Sequence, residues 1–316
     1  MKVAAIDIGS NTILMQIVEK NKQNKIEIIA DFQRFARLAK NLKLTGKISE
    51  DSIIKAEKIM VVFSQICKEF EVDIITAVAT SAVREAVNSL QVVQKLETSF
   101  NTYYSQFNPL KIKIISGNEE AELSYKGACL DAQLSTIIDI GGGSTEIITG
   151  QNGSIVDKIS IPIGVVKLTE DLNITQPVIN YKASRVREHI RHQLAVVNKN
   201  NHKGKVIAVS GTPTALVSIH LNLNEYNVAK INNFNFTRES FHKVVLNVLN
   251  LELDTLINKY GMEKYRADVL SSGALMLDEI MEYLDTYNFI VSTNGLRYGL
   301  ALQAFEDYDH QLNIQL

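Results

Sequence analysis

The sequence predicts an α/β protein of two domains of like design, on three observations. The 316 residues suffice for two ordinary domains. The apolar pattern alternates strand-like runs with long helical ones. A strand–turn–strand unit also occurs twice. Ile6-Asp7-Ile8-Gly9-Ser10-Asn11-Thr12 is echoed by Ile138-Asp139-Ile140-Gly141-Gly142-Gly143-Ser144-Thr145, with the aspartates 132 residues apart (139 − 7).

The elements follow in order. Residues 3–8 form an expected buried strand and 13–19 its partner, joined by the turn Gly9–Thr12. Residues 25–31 alternate as a third strand. Ile53, Ile54, Ile59, Met60, Phe63, Ile66, Cys67 and Phe70 recur at helical spacing between Ser49 and Phe70. Residues 73–79 and 111–115 are further strands. The pattern then restarts with strands at 135–140, 145–149 and 155–161, a helix at about 178–199 and a strand at 205–210. The remainder reads as mostly helical, with a short strand at 289–292.

Composition removes several function classes. Hydrophobic residues make up 46% and charged residues 22%, which suits a globular chain. A net charge of −2 lacks the basic excess of a general nucleic-acid binder. Cys67 and Cys129 belong to no CxxC pair, so a zinc site is not expected. There is no signal peptide pattern and no apolar run of the ~18–20 residues that span a membrane. The expected location is the cytoplasm, without membrane partners.

The duplicated turns have phosphate-binding chemistry. A Gly/Ser/Thr turn points several N–H groups one way, and glycines let a phosphate approach the backbone. Ser10, Thr12, Ser144 and Thr145 add hydroxyls. Asp7 and Asp139 would repel a phosphate, so they fit a metal or its waters, and Glu146 adds a third carboxylate. Neither turn is a P-loop, and no GxGxxG opens a helix. Ser116-Gly117-Asn118-Glu119-Glu120 follows a strand and opens a helix, where acids also favour the helix dipole. Thr80-Ser81-Ala82-Val83-Arg84 leads a strand into a helix whose first turn carries an arginine. That arrangement suits either an N-cap or a phosphate.

These segments resemble a known family. IDIGSNT, VATSAVREAVN, IISGNEEAELSYKGA, IDIGGGSTE, SIPIGVVKLTE, SGTPTAL and RADVLSSGA occur in this order, from residue 4 to about 300. They resemble the exopolyphosphatase/guanosine pentaphosphate phosphohydrolase (Ppx/GppA) family, within the superfamily of actin, sugar kinases and chaperone ATPases. The resemblance implies two actin-like (ribonuclease H-like) domains with mixed five-stranded sheets flanked by helices, and an active site in the interdomain cleft. Domain I is expected at 1–122 with the C-terminal helix 299–316, and domain II at 123–298. The loops at 9–12 and 141–145 are expected to face each other across that cleft.

The resemblance also implies roles. Glu120 would activate the attacking water. Glu146 would be the second essential acid and a Mg²⁺ ligand, with Asp139 and Asp7 also at the metal. Gly9, Ser10, Asn11, Thr12, Arg84, Gly141, Gly142, Gly143, Ser144 and Thr145 would hold phosphates. The implied reaction is Mg²⁺-dependent release of terminal orthophosphate from inorganic polyphosphate by a homodimer. Guanosine pentaphosphate is the alternative substrate; an actin-like ATP-binding scaffold or kinase is the alternative of another class. The chain departs from the family at Lys40 and Asn41, where an acid and a glycine are usual, and at Tyr298 in the GLREG segment. Lys182, Arg185, Arg187 and Arg191 on the 178–199 helix suggest a track for the distal end of a polyphosphate.

Overall fold

The computed structural model describes residues 1–104, 109–129 and 131–314. Residues 105–108 and Leu130 of the expected domains, and Gln315 and Leu316 of the expected 299–316 helix, lie outside the described residues. The chain divides into two compact units, Met1–Gly127 with Leu296–Leu316, and Ala128–Gly295.

Unit 1 holds five strands: β1 Lys2–Ile8, β2 Thr12–Lys20, β3 Ile26–Phe35, β4 Ile74–Ala79 and β5 Ile112–Ile114. Their order is β3-β2-β1-β4-β5. β1, β4 and β5 run parallel, while β2 and β3 are antiparallel neighbours. The helices are α1 Leu42–Thr45, α2 Glu50–Glu69, α3 Ser81–Glu85, α4 Ser89–Tyr103 and α5 Gly117–Ala128. Unit 1 retains α5 almost whole, so its edge falls at Gly127 rather than at 122.

Unit 2 repeats the plan with β6 Ser135–Ile140, β7 Thr145–Gln151, β8 Ser154–Ile161, β9 Lys205–Val209, β10 Phe234–Thr237 and β11 Asn288–Val291. The order is β10-β11-β9-β6-β7-β8, with β6, β9 and β11 parallel. Read from β8, five of these strands repeat the unit 1 order, and β10 adds a sixth at the edge. The helices are α6 Val165–Asp171, α7 Asn180–Leu194, α8 Gly211–His220, α9 Val228–Ile231, α10 Arg238–Asn250, α11 Leu253–Asn258 and α12 Lys264–Tyr283. α13, Leu296–Ile314, returns to unit 1. No helix among the described residues is long and apolar enough to cross a membrane.

Local sequence explains these elements. β1 is an apolar run because a central parallel strand is covered on both faces. α2 starts at Ser49, whose hydroxyl accepts from the Ser52 N–H at 3.3 Å, with Glu50 and Asp51 in the first turn. Ile53, Ala56, Met60, Phe63 and Cys67 bury its inner face. β10 lies in the part of the chain that the sequence presents as mostly helical. Tertiary packing makes it a strand: Phe236 stacks on Phe234, Phe241 and Phe289 with ring centroids 4.8–5.5 Å apart.

α13 lays Leu296, Leu300, Ala301, Ala304 and Phe305 into the same core as Val3, Ala5 and Val18. A Cβ on Gly299 would stand 1.9 Å from the Leu123 carbonyl oxygen of α5. Glycine alone permits this helix contact, and α5 carries Glu120. Gly299→Ala is therefore expected to destabilise unit 1 by about 1–3 kcal/mol or more, since neither backbone can yield cheaply. Chemical denaturation against the wild type measures it; an unchanged midpoint would refute the close packing.

Candidate active site

In unit 1, three candidate segments lie at the carboxyl ends of the parallel strands, where open α/β sheets bind ligands. Gly9 follows β1, Thr80 follows β4 and Ser116 closely follows β5. The Gly9 N–H donates to the Thr12 carbonyl at 3.0 Å, closing the first turn. The Thr80 N–H donates to the Ile8 carbonyl at 3.2 Å, holding the TSA segment beside that turn.

Arg84 reaches from α3 to the start of α5. Its Nη1 donates to the Ile115 carbonyl at 2.7 Å and to Glu120 Oε2 at 3.1 Å. Arg84, expected as a phosphate ligand, thus also hydrogen-bonds the Glu120 carboxylate. Glu120 is buried, with only 7% of its surface exposed.

The neighbouring acid has another task. The Ser116 N–H donates to Glu119 Oε2 at 2.8 Å, and the Glu119 N–H donates to Ser116 Oγ at 3.2 Å. This is a reciprocal capping box. Lys113 adds an ion pair at 2.7 Å. The Lys113 ammonium, with the Ser116 amide and hydroxyl, holds the Glu119 carboxyl down at about 2. Of the adjacent acids, Glu119 caps the helix and Glu120 is presented by it.

Unit 2 repeats the first turn in detail. The Gly141 N–H donates to the Ser144 carbonyl at 2.9 Å. The carbonyls of Gly141 and Gly142 accept from the N–H groups of Val165 and Val166 at 3.0 and 2.9 Å. In a trans peptide the N–H points opposite to its C=O, so the Gly142 and Gly143 amides aim away from α6. A Cβ on Gly164 would lie 2.4 Å from Gly142 and Gly143, so only glycine lets α6 approach this closely. Ser144 Oγ is buried with no hydrogen-bond partner among the described residues, which marks a place for an external acceptor such as a phosphate oxygen. The Thr145 hydroxyl, expected at the phosphate, donates instead to the Ile163 carbonyl at 2.7 Å.

The two turns differ in their acids. Asp7 faces Leu14 across β1 and β2, but Asp139 faces Glu146 across β6 and β7. Opposed residues share a sheet face, and here both are buried, at 8% and 1% exposure. Ser160 Oγ donates to Glu146 at 2.6 Å and Ser210 Oγ donates to Asp139. Two carboxylates on one face suit a hard cation that takes one or two protein oxygens and fills its shell with phosphate and water, as Mg²⁺ does. No cluster of three or more acid, histidine or cysteine ligands occurs among the described residues.

The sequence assigns no role to several contributors. Ser210 has φ 84° and ψ −169°, a region nearly reserved for glycine. That strained turn aims its hydroxyl at Asp139. Arg266 packs on Gly211, where a Cβ would meet its Nη2 at 2.7 Å. RADVLSSGA also proves to be a packing face of α12: Ser271 donates to Gln176, Ser272 meets Thr169 at 2.6 Å and Gly273 accommodates Thr212.

Of the four α7 cations suggested as a track, two pair with a buried acid. Arg187 donates to Glu279 at 2.5 Å and pairs with Asp278 at 2.7 Å, while Arg191 pairs with Glu279 at 2.5 Å. Glu279 is 1% exposed, so these arginines neutralise a buried carboxylate. Lys182 donates to the Asn173 carbonyl. Arg185 is exposed.

With the geometry in place, the chain can be compared with known proteins. It is 29% identical over 326 aligned residues to a bifunctional 3-dehydroquinate synthase/phosphatase of Fusobacterium nucleatum, covering 96% of this chain and 46% of that protein. The chain thus spans about half the length of that relative. It is 25% identical to exopolyphosphatase 2 of Mycobacterium tuberculosis, covering 95% of this chain and 98% of that one. The crystal structure of the Aquifex aeolicus member of the Ppx/GppA family superposes with a TM-score of 0.79 at 26% identity, covering 97% and 98% of the two chains. These likenesses and the paired sheets bear out the two-domain, actin-like α/β class. Residues 16–307, from β2 into α13, match one family over nearly the whole chain, and the protein belongs to the Ppx/GppA phosphatase family.

Proposed function

We propose that this protein is an exopolyphosphatase, releasing terminal orthophosphate from inorganic polyphosphate by attack of a water that Glu120 activates. The observation that carries this reading is the division of labour between adjacent acids. Glu119 is spent on the helix cap, whereas Glu120 is buried, held by Arg84 and set at the carboxyl ends of β1, β4 and β5. The relative named exopolyphosphatase 2 matches over nearly its full length, which supports the substrate class.

Phosphoanhydride hydrolysis needs positioning and charge stabilisation more than covalent chemistry from the protein. Glu120 takes a proton from the water as its oxygen bonds to the terminal phosphorus. The bond to the bridging oxygen breaks, and the chain leaves one phosphate shorter. The amides of Gly142 and Gly143 and the Ser144 hydroxyl hold phosphate oxygens. Asp139 and Glu146 would hold Mg²⁺, which when bound neutralises charge on the transferring phosphoryl.

Orthophosphate release with Mg²⁺ tests the proposal on four substrates: long-chain polyphosphate, tripolyphosphate, guanosine pentaphosphate and ATP. The highest kcat/KM is expected on polyphosphate. Preference for guanosine pentaphosphate would overturn the substrate assignment while keeping the chemistry. Release from ATP alone would overturn both.

A further inference from the structure

Residues 32–49 carry five cations, Arg34, Arg37, Lys40, Lys43 and Lys47, and no acid, in a chain of net charge −2. The first four recur every third residue. The backbone beneath them is fixed to the first phosphate turn: the Arg37 N–H donates to the Asn11 carbonyl and the Ala39 N–H to the Ser10 carbonyl, both at 2.9 Å. The far end is fixed as well. Val87 donates its N–H to the Gly46 carbonyl at 3.0 Å, and Asn88 exchanges two 3.0 Å hydrogen bonds with the Ile48 backbone.

Leu38, Ala39, Leu42 and Ile48 anchor the segment in the core, while Lys40, Lys43 and Lys47 are exposed. Arg37 and Asn41 hold left-handed conformations at φ 53° and 57°. For arginine that is uncommon and costs free energy, so the surrounding structure imposes the path. The result is a rigid ribbon of cations that starts at the Ser10-Asn11 turn.

We propose that this ribbon is the binding track for the phosphates behind the terminal one in a linear polyphosphate. The inference rests on the proposed substrate class and moves the track from α7 to unit 1. Two of the four α7 cations are committed to Glu279, whereas Lys40 and Lys47 are exposed and the backbone that carries them is bonded to a phosphate turn. An anchored backbone loses little freedom on binding a polyanion, and the summed field of the cations extends beyond any single contact.

The test is equilibrium binding of long-chain polyphosphate and of tripolyphosphate to the full chain over a salt series. A Glu120→Gln background keeps the ligands intact. Lys40→Glu with Lys47→Glu is expected to weaken long-chain binding about tenfold or more. By analogy with counterion release, its log–log salt slope should become shallower by about 2. Tripolyphosphate affinity should move by less than about twofold. The milder Lys40→Gln, Lys47→Gln pair serves if charge reversal impairs folding, and should show the same selectivity. An unchanged long-chain affinity, or equal losses for both ligands, overturns the track. A larger long-chain loss from Lys182→Glu with Arg185→Glu also overturns it, in favour of α7. A wild type that binds long chains through the ribbon but releases no orthophosphate overturns the proposed function and not the track.

Discussion

Glu120→Gln is expected to lower kcat on polyphosphate by about 10²–10⁴-fold, the usual contribution of a positioned general base. Binding should change little. The amide has the shape of the carboxylate, and its oxygen can still accept from Arg84 Nη1, which lies 3.1 Å from Oε2. What it cannot do is take the proton of the attacking water. Glu119→Gln is the informative companion. Glu119 is held by Ser116 and Lys113 at the helix start, so its loss should weaken the α5 cap and leave most turnover in place. Glu122, exposed on the next part of α5, should behave likewise. Steady-state orthophosphate release with parallel binding measurements separates the two effects. A Glu120→Gln protein within about fivefold of wild-type kcat would place the base elsewhere.

The sequence made some of this legible because the signals are local. A strand ending in Asp-x-Gly with a Gly/Ser/Thr turn encodes its own geometry. The repeat holds down to matching hydrogen bonds, Gly9 to Thr12 and Gly141 to Ser144. Even the asymmetry can be read from the 132-residue offset, which pairs Leu14 with Glu146 and leaves unit 1 without a second acid opposite Asp7. The capping box on Ser116 and Glu119 is local too, and it decides which acid of the pair is presented.

Other features were hidden because they depend on contacts distant in sequence. Ser210 meets Asp139 across 71 residues, and nothing near Ser210 announces that a serine will occupy a glycine conformation there. Arg187 looks like a solvated cation until α12 brings up Glu279, 92 residues away. Composition counts such charges equally, whereas the fold spends some on internal carboxylates. Lys40 and Asn41 show the converse. They appeared as departures from a family pattern, and the fold makes both intelligible. Asn41 adopts the left-handed conformation that asparagine tolerates among non-glycine residues, and Lys40 joins an acid-free ribbon.

Glu146→Ala is expected to lower turnover by about a hundredfold or more and to abolish stabilisation by Mg²⁺. The two effects share one cause. Asp139 and Glu146 stand opposite each other on one buried sheet face, and a cation between the sheet and the substrate would reconcile their charges. A ligand that binds only the folded state stabilises it by about 2.7 kcal/mol at a hundredfold excess over its Kd. For a domain of this size that is roughly 5–10 °C in Tm. The wild type should show this rise with Mg²⁺, and the variant should not. Alanine also strands the Ser160 hydroxyl, which donates to Glu146 at 2.6 Å, at a cost of about 1–3 kcal/mol. Glu146→Gln removes that ambiguity, because its amide oxygen still accepts from Ser160 while its charge is gone. Both variants should lose the Mg²⁺ response, but only alanine should lower the metal-free Tm through the stranded hydroxyl. If Mg²⁺ raises the Tm of the glutamine variant as much as that of the wild type, the β6–β7 acid pair is not the metal site.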